Sequence, residues 1–309
     1  MQLIRHLSGY EKNNPGLVIA IGNFDGVHLG HQKIIHKAIE LAKANSLEPA
    51  VMLFEPHPQE FFNLEAAPSR LTHLREKFCL LRELGINQLF CLKFNQKFSE
   101  LDAQNFIKEI LIQHLNSQFI IVGEDFRFGH QKNGNIHLLA ELSQSLNYEI
   151  LVMPEVIQHG KRVSSTVIRH LLDKGEVESA AELLGRPYSL SGKVVRGDQR
   201  GRLLGFPTAN IILKSPLPPV RGVYAVEVHG LHQPLKGVSN IGIRPTIGGQ
   251  RCLLETYLFD FNQEIYGQRL QVYLKHKIRH EKKFANLEQL RQQIATDIHT
   301  AREYFKKSY

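Results

Sequence analysis

The chain has 309 residues, 42% hydrophobic and 22% charged, with a formal net charge of +8. That is ordinary for a soluble globular protein long enough for two domains, and the positive balance points to anionic ligands, nucleotide or nucleic acid. The three cysteines, Cys79, Cys91 and Cys252, are scattered, which excludes a disulfide framework and a Cys-x-x-Cys zinc ribbon.

The first stretch, "MQLIRHLSGYEKNN", lacks an apolar signal core, and no apolar run is long enough to span a bilayer. A cytoplasmic protein with no membrane partner is expected. Residues 1–158 then alternate strand and helix. "GLVIAI", "PAVMLFE", "INQLFCLKF", "QFIIVG" and "YEILVMPEV" read as strands. Segments of helical period separate them, the last two being "DAQNFIKEILIQHL" and "IHLLAELSQSL". Repeated βαβ units predict a parallel sheet covered on both faces, with ligands beyond the carboxyl ends of its strands.

The motifs lie at those ends. "GNFDGVHLGH" (22–31) sets Gly22, Gly26 and Gly30 four apart, with His28 and His31 on one face of the first helical turn. A strand handing over to a helix through glycines suits an anion. The first helical N–H groups are unpaired, and the glycines let the backbone approach. No P-loop and no Gly-x-Gly-x-x-Gly pattern is present. As zinc ligands the two histidines would want a third ligand and its supporting shell. "EPHPQEFF" (55–62) follows the second strand and "GEDFRFGH" (123–130) the fourth. In "VSSTVIRHLL" (163–172), Ser164, Ser165 and Thr166 can cap a helix with Arg169 one turn in. This is either a plain N-cap or a second phosphate-binding helix start.

From about 186 the pattern changes to short strands punctuated by Gly and Pro, which predicts a small antiparallel barrel. An amphipathic helix over 286–305 closes the chain, with Asn286 as N-cap and Gln289 three residues on. The boundary is expected in the loop 185–189, giving domains 1–185 and 186–309. Period-two alternation puts Glu255 on one face with Leu253, Tyr257, Phe259 and Phe261. A carboxylate there is either salt-bridged or suited to act as a general base. The loop "GRLLGFPTAN" (201–210) offers Thr208 and Asn210 as oxygen donors for Mg²⁺, or is an ordinary turn. In "KHKIRHEKKF" (275–284), strand alternation puts Lys275, Lys277 and Arg279 on one face. That face is solvated, binds a phosphate or flavin edge, or binds RNA; few aromatics are interleaved, which disfavours RNA.

Taken together, "GNFDGVHLGH", "FEPHPQEFF", "VGEDFRFG", "VSSTVIR", "GRLLGFPTANI", "GVYAV", "GVSNIGIRPTIGG" and "LETYLFDF" resemble, in order, the motifs of the bacterial bifunctional riboflavin kinase/FMN adenylyltransferase (FAD synthetase) family. The resemblance covers nearly the whole chain. It implies an α/β plus all-β protein: an N-terminal Rossmann-like nucleotidyltransferase sheet, then a C-terminal β-barrel with a closing α-helix. It implies two reactions, riboflavin plus ATP giving FMN, then FMN plus ATP giving FAD and pyrophosphate. His28 and His31 would steady ATP phosphates, which Gly22, Asn23, Phe24, Asp25, Gly26 and Gly30 also contact. Ser164, Ser165, Thr166 and Arg169 would hold pyrophosphate. Pro56, His57, Pro58, Phe62, Asp125 and Phe128 would form the FMN site. In the barrel, Arg202, Gly205, Thr208 and Asn210 would bind ATP, the latter two with Mg²⁺. Arg279 would touch the flavin and Glu255 would take the proton from the riboflavin 5′-hydroxyl. The partners implied are ATP, riboflavin and FMN, with no nucleic acid. Lys132 and Asn135 stand where Arg and Asp are usual, and His280 where Pro is usual. Two other readings remain open: a non-catalytic barrel that binds RNA or a partner, or an N-terminal transferase for another acceptor. The aromatic and proline residues of 56–62 and 126–128 favour a flat acceptor ring.

Overall fold

A computed structural model describes the chain apart from residues 9, 11–14, 198–200, 202–203, 214–217, 247–248 and 308–309, and apart from the side chains of 244–246 and 249–251. It divides into two compact units, Met1–Pro68 with Thr72–Val163, and Ser69–Leu71 with Ser164–Tyr309. Packing thus changes at 163, whereas composition changes near 185.

The first unit contains β1 (Gln2–Ile4), β2 (Leu17–Ile21), α1 (Leu29–Ala44), β3 (Glu48–Glu55), α2 (Pro58–Phe62), α3 (Leu74–Glu83) and β4 (Gln88–Lys93). Two helical turns, α4 (Gln96–Ser99) and α5 (Ala103–Asn105), lead into a π-helical stretch over Phe106–His114. Then follow β5 (Ser117–Gly123), α6 (Ile136–Leu146), β6 (Glu149–Met153) and the hairpin β7 (Ile157–Gln158) and β8 (Lys161–Arg162). β1 to β6 form one sheet in the order β1-β4-β3-β2-β5-β6, every pair parallel. The five sequence-predicted strands are all present, and β1 adds an edge too short to announce itself.

Every residue of β2 is buried, as expected for a strand covered on both faces. Val18, Ala20, Val51, Leu53 and Leu89 pack with Ile35, Ala38 and Ala42 of α1 and Leu81 of α3. Ile19, Ile21, Met52, Phe90 and Ile120 pack on the other side with Phe106, Ile107 and Leu111 of the π-helical stretch. Strand order reverses direction at β2, whose neighbours are β3 and β5. In such a sheet the crevice beyond the carboxyl end of that strand is where ligands bind, and "GNFDGVHLGH" begins there.

The second unit opens with α7 (Ser165–Lys174) and α8 (Val177–Leu184). β9 (Ser189–Val195), β10 (Thr208–Ile212), β11 (Gly222–His229), β12 (Leu235–Thr246), β13 (Gly249–Leu258) and β14 (Arg269–Arg279) follow, and α9 (Leu287–Lys307) ends it. The six strands close into an antiparallel barrel in the order β10-β13-β12-β11-β14-β9. Its interior holds Tyr224, Val226, Ile241, Leu254 and Leu274, and Ser239 and Thr256 satisfy each other there at 2.8 Å. α9 lies on the outer face, where Ala301 and Phe305 pack on Val223, Ala225 and Val238. Asn286 caps it, accepting from the Gln289 N–H at 2.9 Å, and the Gln289 side chain reaches back to the Ala285 N–H at 3.3 Å.

Candidate active sites

The β2–α1 turn is held in a conformation few sequences adopt. Phe24, Gly26 and Val27 all have positive φ (47°, 85° and 43°). Such residues persist only where their surroundings fix them. Here the fixing comes from the segment entering α3. The buried Asp25 carboxylate accepts from the Thr72 N–H at 2.9 Å and its hydroxyl at 3.1 Å, while the Gly26 N–H donates to Thr72 Oγ1 at 2.9 Å. Phe24, fully buried, anchors the turn in the α1 side of the core. Asn23 is exposed and its carbonyl accepts from buried Lys77 at 3.0 Å.

His28 is the N-cap of α1. Its Nδ1 accepts from the His31 N–H at 3.3 Å, so a neutral ring carries its proton on Nε2, the donor end. The His31 ring stacks on it at 3.6 Å between centroids, 15° from parallel. The predicted shared face is therefore a stacked pair at a helix start. Gly30 permits it, since a Cβ there would come within 3.1–3.2 Å of the His28 ring. A Cβ at Gly22 would similarly press on the Phe24 ring at 3.3 Å.

His57 caps α2, with Pro56 exposed and Pro58 in the first turn. Its Nδ1 accepts from the Gln59 N–H at 3.1 Å and Glu60 answers from the His57 N–H at 3.2 Å. Phe62 is 68% exposed, a large apolar face left in water. Behind it runs an aromatic series in contact: Phe62 and Phe61 meet Phe94, Phe94 meets Phe98, Phe98 meets Phe106, then Phe128 and Phe126, at 5.3–6.1 Å between centroids. Phe128 is buried in the core at 8% exposure, with half-buried Phe126 stacked on it. The outer ring of this pair is Phe126, one of the aromatics of 126–128. Gly134 and Gly129 are required, because a Cβ would overlap Phe128 and Ala103 respectively. Asp125 is exposed and ion-pairs with Arg162 at 3.5 Å, which Glu155 also holds at 2.7 Å. Asn135 caps α6 through the His137 and Leu138 N–H groups.

Ser164 to Arg169 fall in the second unit. Ser164 caps α7, accepting from the Val167 N–H at 3.3 Å, and Ser165 and Thr166 form its first turn. The Arg169 Nε donates to the Ser69 carbonyl at 2.6 Å.

On the barrel, register builds the second site. Asn210 pairs with Glu255, Glu255 with Asn240, Asn240 with Val223, and Val223 with Arg279. Residues directly opposite in antiparallel strands share a face, with Cβ atoms roughly 4.5–5.5 Å apart. Asn210, Glu255 and Asn240 therefore stand in one transverse row, with Thr208 opposite Tyr257 one step along. Val223 and Tyr257 belong to the cluster under α9, so the row lies on the outer face. Tyr257 and Phe259, which alternation puts on the face of Glu255, belong to that same apolar cluster. The interior is filled by Cys252, Leu254, Thr256 and Leu258, while Leu253, Glu255 and Tyr257 are half-buried outside. Alternation separates two faces without saying which is inside, and α9 makes the outer face apolar as well.

Asn210 is buried and donates from Nδ2 to the Thr208 carbonyl at 3.1 Å, which leaves Oδ1 as the acceptor end. Gly197 and Gly201 pack closely on these two. A Cβ at Gly197 would sit 2.8–2.9 Å from the Asn210 amide, and one at Gly201 would crowd Thr208 Oγ1 at 3.3 Å. Gly205 takes φ +86° with open space around it. Arg202 lies outside the described residues.

The basic stripe expected along 275–279 does not form, because bulges break the alternation of β14 against β11. Lys275 ion-pairs with Glu227 at 3.4 Å, and Lys277 donates to the Lys174 carbonyl at 3.1 Å. Arg279 forks onto buried Asp297 of α9 at 2.7–3.1 Å. Glu281, missed in the sequence, presses on Gly242, where a Cβ would overlap its Oε1. Partial burial pushes its carboxyl above the usual range; Arg221 and Arg279 oppose this and Glu255 adds to it. Burial pushes the Cys252 thiol up to about 11, so it stays an inert core residue.

Among the described residues, no helix is long and apolar enough to cross a membrane. The FAD synthetase family profile matches residues 10–167 and the riboflavin kinase profile residues 184–305. The bifunctional riboflavin kinase/FMN adenylyltransferase of Escherichia coli K12 is 45% identical over 307 residues, 99% of this chain and 98% of that one. Its counterpart in Haemophilus influenzae is 41% identical, with 99% of each chain covered. A crystal structure described as a macrolide-efflux protein from Streptococcus pneumoniae matches with TM-score 0.81 and 31% identity, covering 97% of this chain and 98% of that one.

Proposed function

The chain belongs to the bifunctional riboflavin kinase/FMN adenylyltransferase family, and from that premise we propose which residues carry each reaction. It phosphorylates riboflavin with ATP to FMN, then adenylylates FMN with ATP to FAD and pyrophosphate. We divide the work at 185/186, with adenylyl transfer before it and phosphorylation after it. A cytoplasmic location, and no nucleic-acid partner, go with that reading.

In adenylyl transfer an oxygen of the FMN phosphate attacks the α-phosphorus of ATP and the bond to the β-phosphate breaks, releasing pyrophosphate. The nucleophile is already an anion, so the protein's task is positioning and charge stabilisation rather than proton abstraction. His28, with its donor end on Nε2, and His31 stacked beside it supply hydrogen bonds to the phosphates. Asn23, Phe24, Gly22, Gly26 and Gly30 shape the backbone around them, and Asp25 keeps the turn in place through Thr72. Ser164, Ser165, Thr166 and Arg169 take the leaving pyrophosphate at the start of α7. Pro56, His57, Pro58 and Phe62 meet the flavin ring, with Phe128 supporting it from the core and Asp125 near the phosphates.

In phosphorylation, Glu255 removes the proton from the riboflavin 5′-hydroxyl as that oxygen attacks the γ-phosphorus and ADP leaves. A positioned base of this kind contributes about 10²–10⁴-fold. Gly205 and Arg202 border the nucleotide. The hard oxygen donors of Thr208 and Asn210, with glycines packed beside them, suit Mg²⁺. Held by these two residues, Mg²⁺ would supply neutralisation of phosphate charge. Arg279, at the end of the same row, orients the flavin side while holding Asp297. The observation that carries the reading is the register pairing of Asn210 with Glu255, which sets a cation-suited amide beside a carboxylate. Incubation with riboflavin and Mg²⁺-ATP, resolving FMN and FAD over time, tests it. FMN should appear first and FAD after it, and a chain that makes neither would overturn it.

A further inference from the structure

Lys77 is a buried charge that neither half-reaction has yet used. It is 3% exposed, on the second turn of α3. Lysines are rarely so buried, since taking an ammonium out of water is costly. Methionine would match the stem in volume but has no donor for a buried carbonyl. The Lys77 ammonium donates to the Asn23 carbonyl at 3.0 Å, across 54 residues of sequence.

That carbonyl opens the turn in which Phe24, Gly26 and Val27 all take positive φ. In a trans peptide the C=O and the following N–H point opposite ways. Fixing the Asn23 carbonyl towards α3 therefore turns the Phe24 amide away from it and sets the entry direction of the turn. Thr72 fixes the next two residues from the same segment, through Asp25 and the Gly26 N–H. Two residues later His28 caps α1.

We propose that Lys77 is a positioning residue for adenylyl transfer, holding the Asn23 carbonyl so that the turn presents the start of α1 to the triphosphate of ATP. This rests on reading the first unit as the adenylyltransferase. A misplacement of about 1 Å at a reacting centre costs roughly 10²-fold in rate, so a small slackening of this turn is enough to be measured.

The test compares Lys77→Met, Lys77→Arg and wild type as full-length chains. The kcat and the ATP KM are measured for FMN adenylylation, with riboflavin phosphorylation by the same polypeptide as internal reference and thermal melting by circular dichroism. Lys77→Met should lower adenylylation kcat by about 10²-fold and raise the ATP KM, leaving riboflavin phosphorylation unchanged. Lys77→Arg, which keeps a charged donor, should recover most of the loss. If Lys77→Met melts below the assay temperature, Lys77→Gln decides: a folded, uncharged donor should fall between Arg and Met in kcat. Unchanged kcat and KM in folded Lys77→Met, or losses that vanish per folded molecule, would overturn the proposal. Failure of the Arg variant to recover any rate would do so as well. Wild-type chain that makes no FAD from FMN would instead remove the adenylyltransferase reading beneath it, and the proposal with it.

Discussion

The two units build their sites from opposite materials. The first uses backbone: a turn at the carboxyl end of β2, a helix start, and buried side chains whose task is to hold that backbone. The second uses side chains standing in register on the outside of a barrel, where Asn210, Glu255 and Asn240 are neighbours because β10, β13 and β12 are. In the first, the residues that matter most can sit far from the chemistry. In the second, on the proposed reading, they carry the chemistry themselves. Substitutions should therefore act locally and directly in the barrel, and through geometry in the parallel-sheet unit.

The sharpest way to break that contrast is Glu255→Gln, which keeps shape and a hydrogen-bonding oxygen but loses proton acceptance. Riboflavin phosphorylation should fall by about 10²–10⁴-fold, with FMN adenylylation unaffected; timed FMN and FAD production checks both. Replacing His28 and His31 together by Ala should lower adenylylation by about 10²–10³-fold, mainly in kcat, and spare phosphorylation. Below these comes an effect on stability. Asp297→Ala leaves the Arg279 guanidinium without its buried fork and should cost about 3 kcal/mol, read as earlier melting of the barrel.

The smallest effect concerns pH. The hydrogen bond from His229 at 2.6 Å, with Lys275 nearby, holds the Glu227 carboxyl below its ordinary value of 4.5. A depressed acid contributes stability that is present above the unfolded value and lost as pH falls through the folded one. Glu227→Gln should therefore melt slightly below wild type at neutral pH, by under ~1 kcal/mol given its exposure. The gap should close as pH drops below 4.5.

How much of this was legible in the sequence follows from the same contrast. β2, β3 and β4 were readable because burial on both faces makes continuous apolar runs, and half-buried β6 at the edge still carries a short one. β1 was not, since three residues with one buried carry no pattern. Motif glycines and histidines at 22–31 marked the turn, but the residues that hold it, Thr72 and Lys77, lie 46–54 residues away. Nothing local distinguishes a lysine bound for the core from one bound for water. Phe94 and Phe98 were equally silent, because only the fold brings them into one aromatic series with Phe61, Phe62 and Phe126. In the barrel, alternation found the face of Glu255 but carries no information on whether that face is inside or outside. Alternation also failed across the β14 bulges, where Lys275, Lys277 and Arg279 go to three different partners.

The central claim is that one chain carries two independent sites, and crossing the variants tests it most directly. Full-length Glu255→Gln and the His28→Ala/His31→Ala double variant are each given riboflavin and Mg²⁺-ATP, singly and mixed, with FMN and FAD followed in time. Alone, the first should leave riboflavin largely unconverted yet turn added FMN into FAD, and the second should accumulate FMN and stop. Mixed, they should carry riboflavin through to FAD. Loss of both conversions in either single variant, or no FAD from the mixture, would contradict the account.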